Sequence, residues 1–401
     1  MDRISGFGPE DLGSIPSRLV EVKMDSKSKK YLAALSVLIG TCVGAGILGI
    51  PYVTSKSGFY VTIFYLVFLG GIVLLINLYI GETVLRTKQP HQLSGYARKY
   101  VGKWAGRLID FALVFGIYAA IVAYLKGVGD SLSFILTGSL IYGVPFGILF
   151  GVFMSFLLWK GTSALKKYEK YGVIAILAII SGIFFFFILK ISYSNLNYFS
   201  LGNFMIPFGV VLFALESAQA IPEISLVLRK DKISIKKVII SGSIISFFLY
   251  LIFTFIVIGI TGINAPEIAT FALGPVFVIF GIFTMFSAHF SLGNALEENF
   301  QLDDRFRKLK SWILVSAVPI LIYVLLSFFQ FFSFTKILSI GGVVSGGIIS
   351  ILSLFVIKGA KEKGELKPEY SVPLNWFVII FISLVFIIGV LWELLIGIVK
   401  L

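Results

Sequence analysis

YLAALSVLIGTCVGAGILGIPYV, residues 31–53, is apolar enough to cross a bilayer, yet its centre is a poor helix. A helical span needs about 20 residues to cross a hydrocarbon core of about 30 Å. This one packs Gly40, Gly44, Gly46 and Gly49 around its midpoint and then meets Pro51. Glycine weakens a helix by about 1 kcal/mol and proline by about 3, so a break is expected near mid-span. A second stretch behaves alike. FMIPFGVVLFALESAQAIPEISLVL, residues 204–228, has Pro207 and Gly209 early, a polar Glu216-Ser217 step with Gln219 in its middle, and Pro222 late. Broken backbone at membrane depth is tolerated only beside protein or a water-filled cavity.

Working outward from these two stretches, apolar runs recur along the chain. Spans are expected near 31–54, 58–83, 108–136, 143–160, 171–191, 204–228, 238–262, 273–296, 312–330, 335–357 and 375–399. The chain of 401 residues is 58% hydrophobic and 14% charged, against about half apolar and a quarter charged in soluble domains. Such a chain lacks the polar side chains to cover a water-facing surface. Strands of a membrane barrel would be about 10 residues long with alternating polarity. These runs are continuous, so an all-α membrane protein of eleven transmembrane helices is expected.

The net charge of +13 raises the possibility of nucleic-acid binding, but its placement gives another cause. Lys and Arg gather in residues 3–30, 86–107, 160–170, 229–237, 305–310 and 358–367, all on one side of the expected spans. The other side has Lys56, Lys190, Lys336 and Lys400, while Lys126 lies inside a span. Cytoplasmic loops carry the excess of Lys and Arg. The N-terminus is therefore expected in the cytoplasm and, after an odd number of spans, the C-terminus outside. The charge needs no nucleic acid to explain it.

Several function classes drop out. The single cysteine, Cys42, forms no internal disulfide. With His91 and His289 as the other soft ligands, no metal cluster and no cofactor are expected. No GxxxxGK[ST] loop occurs, which leaves ATP-driven transport without support. The expected tail, residues 1–30, opens with polar residues and has no apolar core, so it does not read as a signal peptide. Met24 opens a natural-looking start, MDSKSKKYLAAL, and the preceding Glu21-Val22-Lys23 can be encoded by a sequence resembling a ribosome-binding site. Translation from Met24 is one expectation; a disordered tail is the other.

The two interrupted spans are the first and the sixth. Units of five crossings enter the membrane from opposite sides, which is the pattern of inverted repeats with a ligand site at paired broken helices. The expected units are 31–191 and 204–357, with an accessory helix at 375–399. GILGIPYV (46–53) and SAQAIPEI (217–224) echo one another, small residues leading into Ile-Pro. Residues 92–107 read as a short amphipathic helix at the interface, and 264–273 as a lid or an ordinary loop.

At a break, the N–H groups that open one half-helix carry partial positive charge and suit a carboxylate. The carbonyls that end the other half suit an ammonium. A zwitterionic amino acid offers both. The spacing Gly40 to Gly44 is also compatible with plain helix packing.

GTCVGAGILGIPYVTSKSGF (40–59), GYARKYVGKWAGRL (95–108) and FGVVLFALESAQAIPEI (208–224) resemble the amino acid/auxin permease family of the APC superfamily, which includes aromatic amino acid permeases and proton- or sodium-coupled carriers. The resemblance covers essentially all spans. It implies a LeuT-type fold of 5+5 inverted helices plus one C-terminal helix. It implies a substrate site formed by Thr41, Cys42, Val43, Gly44, Ala45, Gly46 and Ile47 together with Phe213, Ala214, Leu215, Glu216 and Ser217, closed by the third and eighth spans. Phe213 would be an aromatic gate.

Ionisable residues inside spans cost at least about 2.5 kcal/mol and mark ion or substrate paths. Lys126, where the family usually has a neutral residue, shares a helix face with Asp130. The pair reads as a structural ion pair, as a snorkelling lysine, or as a coupling site. Glu216, where family members often have a small or hydroxyl residue, is a proton carrier, a selector for cationic substrates, or a partner of Lys126. His289 titrates near physiological pH when unperturbed and is a coupling candidate or a satisfied core histidine. Glu82 and Glu223 stand near the basic loops as structural partners or cytoplasmic gates. The resulting expectation is a plasma-membrane permease in a lipid bilayer, not an enzyme, importing a neutral or aromatic amino acid with a proton. The alternatives are a sodium symporter, an exchanger or carrier of another small amine or polyamine, and a ligand sensor without flux.

Overall fold

The computed structural model describes residues 27–160, 163–229, 231–302, 306–329 and 333–397. The expected Met24 start, most of the 1–30 tail and the last residues of the 375–399 span lie outside the described residues. Those that are described form an all-helical protein without a β-strand; an isolated bridge joins Gly58 to Phe199.

The first span is two helices, α1 (Lys27–Cys42) and α2 (Ala45–Ser57), bent by 46° at the break. α3 (Phe59–Arg86) returns across the bilayer, and α4 (Leu93–Tyr100) is short. α5 (Lys103–Thr137), α6 (Gly143–Lys160) and α7 (Ser163–Phe187) follow. The sixth span is again broken, into α8 (Pro207–Leu215) and α9 (Ala220–Val227). α10 (Ile233–Thr261), α11 (Pro275–Leu302) and α12 (Lys308–Phe328) are continuous. α13 (Phe334–Gly341) and α14 (Gly347–Lys363) are joined by a π-helical turn, Gly342–Gly346, and α15 (Trp376–Trp392) is the last α-helix. Nine spans among the described residues are long and apolar enough to cross a membrane, and the bent pair α1–α2 makes a tenth. In α7 the described apolar stretch is shorter, Ile176–Lys190. The chain is thus a multi-pass membrane protein of about ten described crossings.

Its outward faces fit a hydrocarbon solvent: Phe185, Leu321 and Phe377 are exposed, and apolar side chains of this size are normal there because lipid, not water, surrounds them. The centre is α2 against α8. Gly46 makes this crossing possible, since a Cβ on it would lie 2.5 Å from the Ala214 Cβ and 2.6 Å from its Cα.

Two local expectations change. The amphipathic segment 92–107 is two elements: α4 ends at Tyr100, and Gly102, at φ 138°, turns the chain so that Lys103 to Arg107 begin α5. Such a φ is cheap only for glycine. The third span accordingly begins at 103 rather than 108. The 264–273 segment is a docked loop: Glu267 accepts from the Phe334 N–H at 3.2 Å and the Thr335 hydroxyl at 3.4 Å, and Ala269, Thr270 and Leu273 are buried.

Candidate functional site

The first break falls at Val43–Gly44. The Gly44 backbone leaves the helical region (φ −122°, ψ −134°), and its N–H reaches the Cys42 carbonyl at 3.0 Å instead of continuing the ladder. The second falls at Glu216–Gln219: Glu216 is extended (φ −64°, ψ 117°), and the Ala220 N–H donates to the Ser217 carbonyl at 2.9 Å. The prolines do not set these positions. Pro207 opens α8, where its missing N–H costs nothing, Pro222 sits in the first turn of α9, and Pro51 lies well inside α2.

One side chain joins the two breaks. The Tyr250 hydroxyl of α10 lies 2.6 Å from the Cys42 carbonyl and 2.6 Å from the Ala214 carbonyl. A phenol has one proton to give, so it donates to one helix end at a time while holding both. Tyr124 of α5 meets the start of α2. Its hydroxyl is 3.1 Å from where a Cβ on Gly44 would stand. Asn77 of α3 donates to the Ser217 hydroxyl at 2.9 Å, and the Cys42 thiol lies beside Ser217 and Ser246.

The expected substrate residues separate by place. Cys42, Val43, Gly44 and Ala45 form the first break, and Glu216 and Ser217 the second. Gly46, Ile47, Ala214 and Leu215 are buried where α2 and α8 pack. Thr41 turns its hydroxyl back to the Val37 carbonyl at 2.8 Å. Phe213 is half-buried, and its ring lies 3.5 Å from a Cβ position on Gly341. Glu216 accepts from the Ala218 N–H at 3.2 Å, with its other oxygen 3.1 Å from a Cβ position on Gly346. A mainly apolar cavity of about 340 Å³ flanks the breaks between α3 and α10, reaching Cys42, Leu215 and Ser246 and bordered by the exposed Val67 and Phe248.

Lys126 pairs with Asp130 at 2.9 Å rather than with Glu216. The pair sits beside the start of α6 near Gly143. His289 is buried, its Nδ1 has no hydrogen-bond partner among the described residues, and its ring stands 6.3 Å from Tyr124 and edge-on to Phe150 at 5.4 Å. Glu82 is fully buried on the basic face, between Arg86 at 2.8 Å and Lys361 at 2.7 Å. Glu223 lies half-buried in the first turn of α9, where the helix dipole favours an anion. On the same face Lys99 pairs with Glu365 at 2.9 Å, and that bond, aided by the Lys88 N–H, holds the Glu365 carboxyl below the usual carboxylate range.

Sequence reasoning missed Tyr250, Tyr124, Asn77 and Glu393. Only Glu393 carries a readable signal, a lone acid in the apolar run VFIIGVLWELLIGIV.

A family model described as the tryptophan/tyrosine permease family matches residues 27–393. Among curated proteins, the chain is 23% identical over 169 residues to the low affinity tryptophan permease of Proteus vulgaris, covering 40% of each chain. It is 25% identical over 251 residues to glutamine transporter 2 of Aliivibrio fischeri, covering 61% of this chain and 64% of that one. It is 27% identical over 171 residues to tyrosine-specific transport system 1 of Haemophilus influenzae, covering 42% of each. In each case the match spans less than two thirds of the relative's length.

Proposed function

The chain belongs to the tryptophan/tyrosine permease family, and on that premise we propose that it is a proton-coupled importer of a neutral or aromatic amino acid, working by alternating access. A transporter rather than an enzyme is what the family and the three relatives support. The substrates those relatives are named for, tryptophan, glutamine and tyrosine, all have uncharged side chains near neutral pH.

The observation that carries the reading is the meeting of two mid-span breaks at Tyr250. The start of α2 offers N–H groups and the positive end of a helix dipole to a carboxylate. The ends of α1 and α8 offer carbonyls to the ammonium. Glu216, beside them, and His289, behind Tyr124, are the coupling-proton candidates within the site; Lys126–Asp130 is a third. Residues 31–191 and 204–357 are read as inverted five-helix units of LeuT type, with 375–399 as an accessory eleventh span and kinship to the wider amino acid/auxin permeases. The crowding of Lys and Arg on one face supports a cytoplasmic N-terminus and an external C-terminus. Glu82 and Glu223 belong to the closure of the cytoplasmic side.

The test is uptake of labelled tryptophan into cells or vesicles. Uptake collapses with a protonophore and persists when sodium is replaced by potassium. Sodium-dependent, protonophore-resistant uptake overturns the proton reading.

A further inference from the structure

Glu393 stands where α15 passes into a second π-helical turn, Glu393–Gly397. It is 0% exposed, and among the described residues neither carboxylate oxygen has a hydrogen-bond partner. Ser339 of α13 faces it. Among the described residues the Ser339 hydroxyl also lacks a hydrogen-bond partner. Two unsatisfied polar side chains therefore meet inside an otherwise apolar contact. The helices around them pack closely: a Cβ on Gly389 would lie 2.1 Å from the Phe208 ring, and one on Gly347 would lie 3.0 Å from Val390.

Burying a carboxylate anion is costly unless a counter-charge or a donor meets it. No cation is paired with Glu393 among the described residues. Lys336 lies near the start of α13, three residues before Ser339. Lys358 of α14 sits over the Trp376 ring at 3.9 Å. Glu216, at the end of α8, lies against Gly346 at the far end of the π-helical turn. α15 carries no other charged side chain, and Lys400 is outside the described residues. A metal ion would need more oxygens than one carboxylate and one hydroxyl, and no cluster of metal-binding side chains exists among the described residues. A proton needs no more than these two: the neutral acid has one O–H to give, and a serine oxygen accepts it.

We propose that Glu393 and Ser339 form a buried proton-binding site, separate from the two breaks, that is loaded and unloaded during the transport cycle. This rests on the proton-symport reading. The geometry offers a route for its influence. Ser339 lies in α13 three residues before the π-helical turn Gly342–Gly346, Glu216 lies against Gly346 at the turn's other end, and Gly342 packs against the Phe213 backbone. π-Helical turns concentrate at functional sites. Change at Glu393 is in this way one packed segment from the second break.

Two measurements on the purified full chain test it. In infrared difference spectra between acid and alkaline buffer, without substrate, the wild type shows a protonated-carboxyl band that Glu393→Gln lacks, Glu393→Asp keeps, and Ser339→Ala shifts. A band unchanged in Glu393→Gln overturns the site. In proteoliposomes without internal tryptophan, a one-unit inward pH gradient drives about tenfold accumulation in one-proton symport, whereas counterflow is read separately in vesicles preloaded with tryptophan at equal pH. Glu393→Gln keeps tryptophan counterflow but accumulates to a ratio near one. Wild-type accumulation by Glu393→Gln overturns the coupling role and leaves the symport reading standing. Absence of acid-driven accumulation in the wild type removes the symport reading and the coupling role together, and the infrared band then decides whether Glu393 holds a proton at all.

Discussion

A single methyl group added at Gly46 lowers transport about tenfold or more. The Cβ of Gly46→Ala would be placed 2.5 Å from the Ala214 Cβ and 2.6 Å from its Cα. The second of these is backbone, so no side-chain rotation relieves it, and α2 and α8 must separate. Overpacking of this kind costs about 1–3 kcal/mol, and 1.4 kcal/mol is tenfold in a population. The two helices that separate each end or begin at a break, so the misfit falls on the site itself. The expected result is a drop of about tenfold or more in tryptophan uptake per inserted protein. Gly70→Ala and Gly71→Ala are the controls: nothing lies within 4 Å of their added Cβ atoms, and helix propensity favours alanine by about 1 kcal/mol. Both keep wild-type uptake. Full uptake by Gly46→Ala would mean that α2 and α8 are not held in this contact.

The second large effect is expected at Glu82, on stability. Its Oε1 accepts from Arg86 at 2.8 Å, Lys361 at 2.7 Å and the Ser371 hydroxyl at 2.9 Å, and its Oε2 from the Val372 N–H at 2.7 Å. These bonds tie α3 to α14 and to the 364–375 segment, which is stitched along the same helix by Tyr370 to the Leu78 carbonyl and Tyr79 to the Pro373 carbonyl. Removing one partner of a buried pair costs about 3–5 kcal/mol. Arg86 and Lys361 keep 18% and 23% side-chain exposure and recover some solvation, so about 3 kcal/mol is the expected loss for Glu82→Ala. Glu82→Gln loses less, because its carbonyl still accepts. Thermal unfolding in detergent measures both. Unfolding of Glu82→Ala at the wild-type temperature would contradict this structural role.

How far the sequence carried these conclusions differs between elements. The first break was legible because Gly44 and its neighbours are weak helix formers in an apolar run. The second was legible for a different reason than its prolines. Pro207 and Pro222 occupy helix starts, which tolerate them, and the polar step Glu216-Ser217 holds the interruption. Lys126 and Asp130 pair at helical spacing, a local relation that sequence displays. Tyr250 and Tyr124 were not legible. A tyrosine in an apolar helix looks like any other interfacial or core aromatic until the helix packing brings its hydroxyl to a broken backbone. The π-helical turn at Gly342–Gly346, where Gly342 packs against Phe213 and Gly209, was likewise not legible. Glu393 was visible as a charge in an apolar run but not as unpartnered, because partners are a tertiary fact.

The central claim is that the two breaks, tied through Tyr250, grip the charged ends of an amino acid. Electron cryo-microscopy of the full chain with saturating tryptophan tests it most directly. The account predicts ligand density between Val43–Ala45 and Glu216–Ala218, with the carboxylate at the start of α2. Density seated elsewhere, with both spans running as unbroken helices past these residues, would contradict it.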